Sequence, residues 1–219
     1  MGIEVDLLRN YPKTQRNLSE RAESKSEAVR EVARKFGKEF FDGERQYGYG
    51  GFRYDPKYWS PVIDDFEQHF GDLSSKTLLD VGCGKGFMIF DLVRLRPGVQ
   101  ASGLDISEYA IENAKSEVKH LLTIGNAKKL PYATKSFDIV ISINTVHNLE
   151  LGECKAAIRE INRVSKGSAF ITVDAYRTPD EKERMLAWNL TAKTILSVDD
   201  WKNLFDDVGY GGDYFWFIP

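Results

Sequence analysis

From Lys76 onward the chain repeats one unit, a short apolar run ending in a turn followed by an amphipathic stretch of about a dozen residues. TLLDVG (77–82) leads into GFMIFDLVRLR (86–96), and VQASGLDIS (99–107) into EYAIENAKSEVKH (108–120). LLTIGNA (121–127) and SFDIVISINTV (136–146) follow, then CKAAIREINRVSK (154–166) and GSAFITVDAY (167–176). DDWKNLFDDVGY (199–210) and DYFWFI (213–218) end the series. Apolar runs of strand length alternating with helical periods predict βαβ units and a mainly parallel sheet. The nearly unbroken apolar character of 136–146 predicts a strand covered on both faces. Residues 177–198 have a mixed helical signal and are expected to cover the open end of the sheet, with part of 188–197 able to form a strand.

The turns carry the chemistry. Asp80-Val81-Gly82-Cys83-Gly84-Lys85-Gly86 joins the first strand to the first helix. Alternate glycines let backbone amides approach a ligand closely, beside the positive end of a helix. Asp105 closes the second strand, 25 residues after Asp80, where a carboxylate can accept both hydroxyls of a ribose or simply cap the next helix. Asn126 follows 21 residues later at the end of the third strand, within reach of a base edge. Three strand ends converging on one crevice point to a nucleoside site.

The N-terminal part differs. Val29, Val32, Phe36 and Phe40 recur at helical spacing within the charged stretch 19–41, which predicts one amphipathic helix. Residues 42–60 hold three glycines between Tyr47 and Phe52, with Tyr47, Tyr49, Tyr54, Tyr58 and Trp59. This is a loop with aromatic anchors rather than a flexible linker. A helix is predicted over 61–70, with Ser60 as its cap and Pro61 at its first position.

LLDVGCGKG, GLDIS, and GNAKKLP followed by SFDIVIS together resemble the class I S-adenosylmethionine-dependent methyltransferases, of the small-molecule type, over residues 77 to about 176. The resemblance implies an α/β, Rossmann-like fold. It is a mainly parallel central sheet of six or seven strands with helices on both faces, plus an N-terminal helical and aromatic lid. Residues 1–60 are expected to form the lid segment and 61–219 the S-adenosylmethionine-binding domain. By matching positions, Asp80, Gly82, Cys83, Gly84 and Gly86 would hold the methionine part and Asp105 the ribose. Ile106, Asn126 and Ala127 would meet the adenine, and Asn144, leaving the fourth strand, would face the methionine or the acceptor. S-adenosylhomocysteine would be the product. The family's sheet often ends in a hairpin with an antiparallel last strand, and this chain's last apolar run is directly followed by Pro219. An exposed sheet edge is therefore expected, coverable by another subunit in a homo-oligomer.

The acceptor is less constrained. Where amide- and adenine-methylating relatives carry N/D-P-P-F/Y/W, this chain reads INTVHNLE, and the Pro-Cys nucleophile of cytosine-C5 relatives is absent. No acid set for a metal is apparent. His147 is expected to act as general base or hydrogen-bond donor, with Tyr49 as an alternative proton acceptor. Tyr47, Arg53, Tyr54 and Tyr176 are expected at the acceptor, Arg53 pairing with an anionic group. Asp174 leaves strand five on the same rim, Glu150 has a capping alternative, and His69 and His120 read as structural. The expected reaction is methyl transfer to O or N of a small polar acceptor, a sugar or related metabolite. The alternatives are a non-methylating decarboxylase or lyase on the same fold, and a protein methyltransferase. With 30 Lys+Arg against 33 Asp+Glu the chain is not basic enough for a nucleic-acid binder. Two cysteines, Cys83 and Cys154, fit a reducing compartment. No apolar run reaches membrane-span length, so a cytoplasmic location is expected and the sequons at Asn17 and Asn189 carry no meaning.

Overall fold

A computed structural model of the chain describes residues 2–12 and 26–219. The sheet comprises β1 (Thr77–Val81), β2 (Gln100–Asp105), β3 (Leu122–Ile124), β4 (Phe137–Ile143), β5 (Ser165–Tyr176), β6 (Leu196–Ser197) and β7 (Asp213–Phe217). Its order is β3-β2-β1-β4-β5, with β6 and β7 both paired to β5. Every strand pair is parallel. β7 runs beside β5 from Phe170↔Asp213 to Asp174↔Phe217, so the final antiparallel strand of the family pattern is replaced by a parallel one. Within 188–197 only Leu196 and Ser197 form a strand, against Ala175 and Tyr176.

The edge of β7 is not exposed. Glu4 pairs with Tyr214, and the N–H of Val5 donates to the Tyr214 carbonyl at 2.9 Å. The Ile3 N–H donates to Asp213 Oδ1 at 2.8 Å. The chain's own residues 2–5 thus pair with the edge that was expected to be exposed.

Helices α1 (Glu27–Ala33), α2 (Lys38–Asp42) and α3 (Pro56–Phe70) precede β1. The single helix expected over 19–41 is broken: Phe36 takes φ +49, and Gly37 starts α2 in an extended conformation. Positions 19–25 of that expectation, and the Asn17 sequon, lie outside the described residues. α3 begins earlier than expected because Asp55, not Ser60, caps it, accepting the Lys57 N–H, with Pro56 preorganising the first turn. Pro61 is inside α3, so the boundary expected at residue 60 falls within one helix.

α4 (Phe87–Leu95) follows β1 and α5 (Glu108–Glu112) follows β2, the latter capped by Ser107, whose hydroxyl accepts the Ala110 N–H. α5 is shorter than the periodicity of 108–120 implies. α6 (Leu151–Val164), α7 (Pro179–Trp188) and α8 (Val198–Asp207) complete the chain. Strand residues alternate between two cores. Leu79, Val81, Val140, Ile171 and Val173 pack with Ile158, Ile161, Trp201 and Phe205 of α6 and α8. Leu78, Ile139, Ile141 and Phe170 pack with Val62, Ile63, Phe66, Ile89 and Leu92 of α3 and α4. Each such large apolar side chain contributes about 1.5–3 kcal/mol on leaving water, which makes the sheet a rigid platform for its loops.

Candidate active site

The carboxyl ends of β1, β2, β4, β5 and β7 open into one cavity of about 900 Å³. This is where ligands bind in open parallel sheets. Its lining includes Asp80, Gly82, Cys83, Gly84, Asp105, Ile106, Asn126, Ala127, Asn144, His147 and Tyr49 from the expected set.

The glycine turn is fixed by the backbone. Gly82 has φ +93, and a Cβ there would stand 2.0 Å from Thr145 Oγ1, so only glycine fits. The N–H groups of Gly82 and Cys83 both donate to the Leu104 carbonyl. The Gly84 N–H donates to Asp105 Oδ2 at 2.7 Å, and the Ser107 N–H to Asp105 Oδ1 at 2.8 Å. Asp105 therefore ties the glycine turn to its own strand end. Gly86, in contrast, does not line the cavity; it caps α4 in the left-handed region against Leu122 and Val118.

Asp80 and Asp105 are both buried. Burial, then the charge of Asp105, pushes the Asp80 carboxyl up to about 8. Burial also raises Asp105, opposed by its backbone N–H donors. The Cys83 thiol beside them is pushed well above its usual range by burial and then by the two carboxylates. Two buried carboxylates that repel each other suit a ligand carrying positive charge. Ile106 is 51% exposed at the cavity wall, an apolar surface next to Asn126, as a planar base would need. These residues fit S-adenosylmethionine, whose sulfonium and ammonium are cationic and whose nucleoside is flat and polar-edged.

Beyond β4 the backbone is unusual. Asn144 takes φ +50, held by Thr172, whose hydroxyl accepts the Asn144 N–H and donates to Asn144 Oδ1, both at 2.9 Å. His147 is 4% exposed, and its Nδ1 accepts the Asp174 N–H at 3.0 Å. Burial lowers its pKa, with the charge of Asp174 opposing. The neutral ring thus has its Nδ1 lone pair in use and its proton on Nε2, 3.9 Å from Asp174 Oδ2. This geometry supports the hydrogen-bond donor role and leaves no lone pair for the general-base role.

The N-terminal aromatic segment lies over the glycine turn. Phe36, Phe40, Phe41, Tyr49 and Phe52 all line the cavity. Phe52 packs tilted against Tyr49 and Phe87, with ring centroids 4.2 Å and 4.8 Å apart. Asp42 fastens the segment. It accepts the Phe52 N–H at 3.0 Å, the Lys85 ammonium at 2.6 Å and the Tyr109 hydroxyl at 2.7 Å. Desolvation raises the Asp42 carboxyl, but Lys85, Tyr109 and Phe52 together hold it below its ordinary value. Lys85 sits inside the glycine turn, so this bond network couples the aromatic segment to the turn itself.

Four expected acceptor residues do not reach the cavity lining. The Tyr54 hydroxyl donates to Asp91 at 2.6 Å, and Lys115 lies over its ring. Tyr47 is half-buried in a single 3-10 turn, and Arg53 is exposed. Tyr176 carries Lys182 over its ring at 5.3 Å. In their place the cavity holds residues that pattern reading passed over: Asp6, Tyr11, Trp59, Trp188 and Phe215. Asp6 and Tyr11 have no local signal because pairing with β7 brings them there. Among the described residues no cluster of three or more His, Cys, Asp or Glu could hold a metal ion, and no helix is long and apolar enough to cross a membrane.

Residues 72–209 match the family described as methyltransferase domain. The chain belongs to the class I S-adenosylmethionine-dependent methyltransferase family. It is 29% identical over 139 residues to the malonyl-[acyl-carrier protein] O-methyltransferase of Legionella pneumophila, covering 61% of this chain and 48% of that protein. It is 34% identical over 122 residues to the demethylmenaquinone methyltransferase of Lactococcus lactis, covering 48% of each. The chain thus spans about half the length of these curated relatives. The crystal structure of the [4+2]-cyclase SpnF superimposes with a TM-score of 0.55 at 22% identity, covering 68% of this chain and 56% of that one, which shows the shared fold. S-adenosylmethionine is the methyl donor of the family, and the Asp80–Asp105 arrangement described above is the part of this chain that fits it.

Proposed function

We propose that this chain is an active methyltransferase that delivers a methyl group to N or O of a small acceptor lying between Asn144 and the aromatic segment. The observation that carries this reading is the buried Asp80–Asp105 pair beside a glycine turn that Asp105 ties to its own strand end. S-adenosylmethionine, when bound, supplies an electrophilic methyl on sulfur. Asp105 and Asn126 would hold the nucleoside, and Asp80 would balance the cationic methionine end. The strained Asn144 and the His147 Nε2–H would orient the acceptor, because alignment of the two reactants is the main contribution a protein makes to such a displacement. Phe41, Tyr49 and Phe52, latched through Asp42, would exclude water as a lid. Tyr49 is the aromatic hydroxyl of this segment that lines the cavity.

A non-methylating reading has one specific support, the fold shared with a [4+2]-cyclase. The two are separated by product stoichiometry. Purified protein would be incubated with S-adenosylmethionine and a panel of small amines, alcohols and phenols, and S-adenosylhomocysteine quantified. Methyl transfer gives one S-adenosylhomocysteine per methylated product. An acceptor consumed without S-adenosylhomocysteine would support the alternative, and no S-adenosylmethionine binding by calorimetry would refute the proposal.

A further inference from the structure

We propose that Phe36 is a cofactor-binding residue whose ring covers the adenine of S-adenosylmethionine, with Ile106 as the other apolar contact of the base. The inference rests on the methyltransferase reading above and adds a residue of the N-terminal segment to the nucleoside site.

The sheet places the base at one end of the cavity. Ile106 follows β2, and Asn126 lies just past β3, the outermost strand on that side. β2 and β1 separate β3 from β4, whose end carries Asn144. Asn126 Oδ1 accepts the Lys128 N–H at 3.1 Å, which leaves its amide N–H groups for a base edge.

Phe36 is held at this same point. α1 ends at Ala33, and the Phe36 N–H donates to the Ala33 carbonyl at 3.0 Å. Its φ of +49 costs a bulky residue energy and persists only where the surroundings impose it. The Phe36 carbonyl accepts the Ser107 hydroxyl, which in turn accepts the Ala110 N–H at 3.0 Å. The Ser107 N–H donates to Asp105 Oδ1, so one serine joins Phe36 to the loop of the ribose acid. On the other side, Arg34 Nε donates to the Thr191 carbonyl at 3.4 Å. The strap from Arg34 to Phe36 therefore reaches from the β2–α5 turn to the segment after α7.

The apolar surface there is open to a ligand. Phe36 is half-buried, Ile106 is exposed, and neither belongs to the two cores of the sheet. Phe36, Ile106, Asn126 and Leu149 line the main cavity and also a second one of about 1070 Å³. They stand between the two cavities. A flat base laid over Phe36 and Ile106 would remove apolar surface of both from water, and every base has a π-face that an aromatic ring can stack on.

The same ring leads to the glycine turn. Phe36 meets Phe40 edge-on at 5.1 Å between centroids, Phe40 meets Phe41 at 5.1 Å, and Phe41 meets Phe52 at 5.6 Å. Phe41 and Phe52 border Gly84. A base held at Phe36 thus steadies the aromatic segment at its other end.

The test is calorimetry on the full chain and its variants. The ligands are S-adenosylhomocysteine and 5′-methylthioadenosine, which keeps base and ribose but lacks the amino-acid end. Phe36→Ala should weaken both by roughly tenfold, the size of one base–aromatic stack. Phe36→Gly should do the same; it suits the left-handed backbone and carries the comparison if the alanine variant does not fold. Phe36→Trp should retain native affinity, because a larger ring still stacks. A loss with Phe36→Trp as large as with Phe36→Ala would mark Phe36 as a packing group and overturn its role. Native affinity for both ligands in Phe36→Ala or Phe36→Gly would overturn it too, and leave the methyl-donor reading standing. Weakening of S-adenosylhomocysteine alone would place Phe36 at the methionine end and overturn the base contact. A native protein that binds 5′-methylthioadenosine through Phe36 but never S-adenosylhomocysteine would support the base contact and overturn the methyl-donor reading. Binding of neither ligand would overturn both.

Discussion

Asp80→Asn is expected to stabilise the ligand-free protein as pH rises and to leave it little changed in acid. Burial and Asp105 push the Asp80 carboxyl up to about 8 from 3.8. The folded chain therefore holds one more proton at this site than the unfolded chain between those two values. Stability then falls as pH rises through that window, by about 1.4 kcal/mol per pH unit, and levels off above the folded value. From pH 5 to pH 7 the native sequence should lose about 3 kcal/mol relative to the variant, which has no proton to release. For a chain of this size that is roughly 6–12 °C in Tm. Using the difference between the two proteins removes the contribution of His147, whose lowered pKa acts in the opposite direction below about 6.5. The assay is a set of thermal melts from pH 5 to 9 at constant ionic strength. A second readout is calorimetry in two buffers of different ionisation enthalpy. S-adenosylmethionine binding near pH 7 should expel close to one proton from the native sequence and none from the variant. A melting-temperature difference that stays constant across the range would refute the argument, because a carboxyl that is ionised throughout would give that result.

Asp105→Ala should weaken S-adenosylmethionine binding at least tenfold by calorimetry; it also strands the Gly84 and Ser107 N–H groups, at a stability cost of about 1–3 kcal/mol. Gly82→Ala, with φ +93 and Thr145 Oγ1 in the way, should lower stability by about 1–3 kcal/mol or more in denaturant melts and abolish cofactor binding. Asp42→Asn should loosen the aromatic segment, seen as faster amide exchange across 42–52 with little change at β1–β5. Equal exchange in both proteins would show that the ring contacts hold the segment without the latch. His147→Gln should lower turnover while leaving no ionisation near 6.5 to be lost from the pH profile, because the native ring is already neutral; disappearance of such a limb in the variant would restore the general-base role.

The glycine turn and the strand-end residues Asp105 and Asn126 were legible because local backbone demands and a two-residue strand period fix them. Each follows from a segment shorter than ten residues. The acceptor end was not legible for the opposite reason. Asp6 enters through a bridge between Glu4 and Tyr214, and nothing near Asp6 in the chain announces it. Tyr54 was misplaced because the partner that captures its hydroxyl, Asp91, belongs to a different helix. The helix break at Phe36 was hidden since the apolar spacing of Val32, Phe36 and Phe40 continues through it. There Phe36 packs edge-on against Phe40, and its carbonyl accepts the Ser107 hydroxyl, so tertiary contacts override the helical period. Asp42 carries no pattern at all. An acid before a glycine reads as a turn, and only the folded chain reveals Lys85 and Tyr109 around it.

The pairing of residues 2–5 with β7 bears on how the molecule is assembled. Ile3 and Asp213 are 210 positions apart, so this closure has one of the largest loop costs in the chain and is expected late in folding. Until it forms, DYFWF presents an open row of backbone donors and acceptors on a strongly β-prone strand. Such a row is a template for the same strand of another molecule. Refolding from denaturant is therefore a race between residues 2–5 and a neighbouring chain. Dilution favours the first, and crowding at high protein concentration favours the second.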